Sequence, residues 1–188
     1  MTITKKRERY KQSDWPKEWV GISPKSMRQY RQYINKEKPG YCGTYTAAAL
    51  LHFKVVQDRQ LNLSMNELLD VLKPLVDGRY FYRGTYPWDL TKGLIDLIGN
   101  ETYQAKWYLI SNPVVVEQLS KQEPNPVIVG TTKFLGSRYG NHWLLVYAYG
   151  YNDQGQLFYK AYDNHGKINA VIAASQTMAA VWLDREEK

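Results

Sequence analysis

The spacing of apolar residues changes once along this chain, and that change limits the layer arrangements open to it. Through residue 98, apolar side chains recur at the three-to-four-residue spacing of a helix face. From residue 103 they gather in short runs rich in β-branched and aromatic residues. Helices first and an antiparallel sheet second describe a segregated α+β fold, not the alternation of βαβ units.

The helical half carries its own punctuation. Ser23-Pro24 supplies an N-cap and a first-turn proline to a helix expected over about 24–35, which Lys38-Pro39-Gly40 must break. From Cys42 to about Gln57 the chain reads as an apolar helix, and its three consecutive alanines suit close packing against a neighbour. Ser64 to Glu67 is a capping box that opens a third helix, interrupted by Pro74 and closed by Gly78. Residues 87–98 make a fourth, with Gly99-Asn100 as its stop signal.

In the second half, 103–110 reads as a strand and 113–121 as a short helix opened by Asn112-Pro113. Strands follow at 126–132, 142–151 and 156–163, the last two joined by a hairpin turn at Asn152-Asp153-Gln154-Gly155. Residues 168–183 suggest strand, helical turn and final strand. A length of 188 residues with 44% hydrophobic content suffices for one domain with a real core. Without repeats or low-complexity linkers, the expected division is a basic N-terminal arm over 1–22 and one domain over 23–188.

Charge and composition narrow the function classes. The 25 basic and 18 acidic residues leave +7, with Lys5, Lys6, Arg7, Arg9 and Lys11 clustered in the arm. A solvated extension that lays Trp15 and Trp19 on the domain accounts for this, and no nucleic-acid-reading motif accompanies the charge, so no nucleic acid partner is expected. No run approaches the roughly 18 apolar residues of a membrane span, and the start has no apolar signal-peptide core. As given, the chain reads as cytoplasmic, although a protein trimmed of its leader has the same appearance. One cysteine and three histidines without ligand spacing point to no metal, and no phosphate loop implies a cofactor. Oligomeric state has no signature here.

Cys42 follows the breaker Pro39-Gly40-Tyr41 and opens a helix. There the unpaired N–H groups and the dipole favour thiolate over thiol and can also hold a developing oxyanion. A small core residue is the ordinary alternative. His142 begins the longest strand, which aims an imidazole rigidly enough to serve a thiol as general base. Asp163 ends the next strand, and the hairpin brings it beside the start of the His142 strand, where a carboxylate can orient the imidazole; Asn164 offers a neutral substitute. His52 reads as structural, and His165 as a minor competitor for the base.

Gly40-Tyr41-Cys42-Gly43, running into an alanine-rich helix, resembles the nucleophile motif of the bacterial C39-like cysteine peptidases. Pro126 to Gly130 and then Gly140-Asn141-His142-Trp143 are similar to that family's strand and histidine strand, and Tyr162-Asp163-Asn164 through Gly166 to its aspartate turn. The segment from Gly84-Thr85 to Leu90 also looks like the stretch before its middle helix. The likeness spans about residues 28 to 165, and Cys-Gly and Gly-x-His-Trp are its specific pieces. The proline often found after the aspartate is absent.

That resemblance implies a papain-like cysteine peptidase fold, with a peptide or protein substrate cut through Cys42, His142 and Asp163 by way of an acyl-enzyme. Members usually carry a glutamine about six residues before the cysteine as oxyanion donor. Lys36 stands at that place, which leaves the amides of Asn35 or Gln32 as candidates. Other papain-like acyl transfer or amidase chemistry, and a non-catalytic peptide-binding module on the same fold, are the competing expectations. A thiol that reacts with iodoacetamide only above about pH 8, as free thiols do, favours the module.

Overall fold

The computed structural model of the chain describes residues 10–36, 40–77, 84–99 and 101–186. A short strand, β1 (Val20–Gly21), leads into α1 (Pro24–Met27), where the Ser23 hydroxyl accepts from the Lys25 N–H. The chain then tightens into a 3-10 turn over Arg28–Gln32, so the helix expected over 24–35 keeps α geometry for one turn only. Its buried residues explain the tightening. Met27 and Tyr30, three apart, are both fully buried, and a 3-10 turn stacks positions i and i+3 on one face. Lys38 and Pro39, the expected breakers, lie outside the described residues.

α2 (Cys42–Leu51) is buried from Gly43 to Leu51 and passes into a π-helical turn over His52–Val56. α3 (Met65–Leu75) opens on the expected capping box, with Glu67 and Ser64 exchanging hydrogen bonds of 2.8 and 3.3 Å. Pro74 does not interrupt it. The proline sits in the last turn, and Asp70, whose carbonyl loses its helical donor, is exposed and can turn to water. Gly78 lies outside the described residues. α4 (Pro87–Ile98) has the expected bounds and ends at Gly99, whose φ of 68° suits a glycine; Asn100 is again outside them.

The remainder is β2 (Tyr103–Tyr108), α5 (Ser111–Leu119), β3 (Val127–Thr131), β4 (His142–Tyr151), β5 (Leu157–Tyr162), β6 (Ala170–Ala173) and β7 (Thr177–Arg185). The strands form one sheet in the order β2-β7-β3-β4-β5-β6, every pair antiparallel, and β1 pairs with β4 at Tyr149 and Ala148. The fold class is α+β. Between β6 and β7 the expected helical turn is a 3-10 turn over Ala174–Gln176.

Both faces of the sheet are covered, which is why β4 reads as an almost continuous apolar run. Ile128, Leu145, Tyr147 and Val181 pack with α2, α3 and α4 on one side. Val127, Val129, Leu144 and Val146 pack with Val115 and Leu119 of α5 on the other. Alternate residues of β3 and β4 thus serve opposite layers, as the pleat demands. Each fully buried Leu or Val contributes about 1.5–3 kcal/mol relative to exposure.

Trp15 and Trp19 lie on the domain, as the sequence suggested. Tyr10, Trp15 and Trp19 cover Phe158, Val171 and Ala173, and the Lys160 ammonium lies 4.3 Å from the centre of the Trp19 ring. Lys5 to Arg9 lie outside the described residues. Among the described residues no helix is long and apolar enough to cross a membrane.

Candidate active site

Tyr41 precedes α2, and its side chain caps nothing. The first-turn N–H of Thr44 is satisfied instead from across the fold by Asp77, just past the end of α3. Its Oδ2 accepts from both the N–H and the hydroxyl of Thr44 at 2.7 Å, and its Oδ1 accepts from the Thr85 hydroxyl. This carboxylate therefore sits where the helix dipole is positive. A Cβ at Gly43 would lie 3.2 Å from Asp77 Oδ1 and 3.1 Å from Thr85 Oγ1, so glycine leaves room for the clamp. Cys42, half-buried, opens this helix and faces a cavity of about 800 Å³.

The same cavity is lined by His142. Its strand position pairs with Thr131, whose hydroxyl donates to the Gly140 and His142 carbonyls at 2.9 and 3.2 Å. Asn141 accepts from the Lys133 N–H at 3.0 Å, which pins the approach to the strand. The ring has two aromatic neighbours: Tyr139 lies nearly parallel to it at 5.6 Å, and His165 is tilted against it at 4.4 Å. Nε2 lies 2.9 Å from the carbonyl oxygen of Asp163. A carbonyl only accepts, so Nε2 carries the proton and Nδ1 keeps the lone pair a general base needs.

Asp163 reaches His142 through its main chain, where the sequence suggested its carboxylate. The carboxylate accepts from the Tyr139 hydroxyl at 3.0 Å and from the His165 and Lys167 N–H groups at 2.9 Å each. The turn after β5 turns those amides inward, and an aspartate two and four residues back satisfies them locally. Asn164, at φ 44°, donates its amide to the Trp143 carbonyl at 3.0 Å and so braces β4.

Cys42, His142, His165 and Asn35 all line the one cavity. Asn35 is anchored to the histidine wall, because its N–H donates to the Asn164 carbonyl at 2.8 Å. Gln32 is elsewhere, exposed in a shallow depression with Arg28, Gln29 and Arg31. His165 is exposed while His142 is buried, so of the two only His142 is shielded from water.

Electrostatics here run against the thiolate expected from the helix start. Burial pushes the Cys42 thiol up to about 11, and the Asp77 charge adds to the rise. The main-chain N–H groups of Trp143, Gly43 and Cys42 pull the other way without prevailing. Burial also lowers the His142 imidazole to about 4, with His165 assisting and the Asp163 carbonyl and charge opposing. Desolvation penalises both charged forms, so the resting pair is neutral thiol and neutral imidazole.

His52 lies apart from the cavity, its Nδ1 3.1 Å from the Tyr30 hydroxyl, the structural role expected of it. Among the described residues no cluster of His, Cys, Asp or Glu has the makings of a metal site.

No model of a known protein family matches the chain, and no curated protein matches it either. Asp77 and Tyr139 belong to the site although no motif announces them. The signal for Asp77 was indirect: a helix whose N-cap is Tyr must find its first-turn acceptor elsewhere in the fold.

Proposed function

We propose that this chain is a papain-like cysteine peptidase, similar to the C39-like kind, with Cys42 as nucleophile and His142 as base. One observation carries the reading. The helix start bearing Cys42 and the strand start bearing His142 open on the same cavity, which Trp143, next to the histidine, also lines.

From a neutral pair, the thiol gives its proton to Nδ1 of His142 as sulfur attacks the peptide carbonyl carbon. The carbonyl oxygen becomes an oxyanion beside the Cys42 N–H, and the Asn35 amide stands in the same cavity as second donor. Collapse of the tetrahedral species breaks the C–N bond, and the imidazolium returns the proton to the departing amine. Water then attacks the thioester while His142 takes its proton, and the carboxylic acid leaves as the thiol re-forms. The Asp163 carbonyl holds the ring and favours its transient cation, the orienting part usually given to a side chain.

The raised thiol favours a second reading, a peptide-binding module that retains the fold without turnover. Digestion of a peptide library, read by mass spectrometry, separates the two. Products from the intact chain and none from Cys42→Ala support the peptidase. Peptide binding without products from either supports the module.

A further inference from the structure

The cavity beside Cys42 has an aromatic wall. Tyr86 and Trp88 stack with ring centres 4.8 Å apart and planes 7° from parallel, yet they stay 49% and 46% exposed. Both line the same space as the thiol. The wall is rigid: Trp88 lies in the first turn of α4, the Tyr86 N–H donates to the Asp89 carboxylate at 2.9 Å, and Trp107 meets Trp88 edge-on at 5.8 Å.

Leu109 and Met178, 53% and 46% exposed, line the same cavity. Their placement depends on a bulge in β7. Gly130 pairs with Met178 and Val129 with Ala180, which leaves Ala179 as the extra residue. Ala179 takes a left-handed φ of 58° and donates its N–H to the Leu109 carbonyl at 2.8 Å. Alanine accepts that conformation only at a cost of about 1–3 kcal/mol, and such costs concentrate where a side chain must be re-aimed.

Four large apolar side chains from three separate elements, left exposed around one concavity, are the composition of a recognition pocket. Its charge narrows the occupant. Among the described residues no carboxylate lines the cavity and Lys36 is the one fully charged group. Those residues favour neutral or acidic chains over a lysine or arginine.

We infer that this wall selects peptides with a large aromatic side chain within a residue or two of the bond presented to Cys42. The inference rests on the peptidase reading for its function but not for its test. An array of short N-acetylated peptides, randomised in sequence, is probed with labelled Cys42→Ala protein so that binding is read without cleavage. Bound peptides should be enriched in Trp, Phe and Tyr and poor in Lys and Arg. Trp88→Ala and Met178→Ala, each confirmed folded by circular dichroism, should weaken the aromatic peptides on the order of tenfold. Binding without aromatic enrichment, no binding at all, or enrichment that survives both substitutions overturns the inference. Cleavage by the intact chain at sites with no aromatic preference does so too, while leaving the peptidase standing. Aromatic enrichment without any cleavage leaves the wall standing and removes the peptidase.

Discussion

The imidazole of His142 hangs from the main chain of Asp163. Nε2 lies 2.9 Å from the Asp163 carbonyl, while the Asp163 carboxylate holds the Tyr139 hydroxyl and two turn amides. A main-chain acceptor survives any side-chain substitution that preserves the turn.

Asp163→Asn should therefore be mild. An asparagine keeps an oxygen for the His165 and Lys167 N–H groups, so kcat/KM should stay within about tenfold of the parent. Asp163→Ala frees both amides and should cost about 1–3 kcal/mol of stability as well as activity. A loss on the order of 10⁴ in the asparagine variant, with the fold intact, would show the carboxylate acting on the ring directly.

Asp77→Asn should make Cys42 more reactive. The amide keeps an acceptor for Thr44 and removes a negative charge that helps raise the thiol. The pH midpoint of iodoacetamide alkylation should move down and the rate at pH 8 rise severalfold. A damaged helix start alone would loosen the site without shifting that midpoint, so an unchanged midpoint counts against the electrostatic role.

Stability should fall on both sides of neutrality, for different groups. The folded imidazole of His142 sits at about 4 against an ordinary 6.5, so the unfolded chain binds that proton more readily. Its contribution is whole above about pH 6.5 and disappears as pH drops towards 4, amounting to roughly 3 kcal/mol. Cys42, raised from 9.0 to about 11, works in reverse: the unfolded chain releases its proton first, and stability declines as pH climbs through that interval. Urea melts across pH should show His142→Gln with a shallower acid limb than the parent. Identical limbs would mean His142 is not held neutral by the fold.

Gly93→Ala should lower the Tm. A Cβ there would come within 2.7 Å of Val76 Cγ2 and 3.0 Å of the Leu75 carbonyl, where α4 crosses the end of α3. Overpacking costs about 1–3 kcal/mol, and the gain in helix propensity recovers about 1 of that. A thermal melt at or above the parental midpoint would show that α3 can retreat.

Local pattern carried much of this protein. Alternation on the pleat, the Ser64 cap, the Asn152 hairpin and the breaker before Cys42 are relations between near neighbours, and a one-dimensional string records them. It therefore yielded the order of elements, the α+β class, and a cysteine and a histidine each at the start of an element. Folding decided what no neighbour can announce: that Asp77 caps a helix thirty-three residues away, that Trp88 and Met178 share a cavity, and that Trp15 and Trp19 settle on Phe158, Val171 and Ala173. It also decided the protonation of Cys42 and His142. A helix start read alone favours thiolate, but desolvation depends on everything packed around the sulfur, and that exists only once the layers have closed.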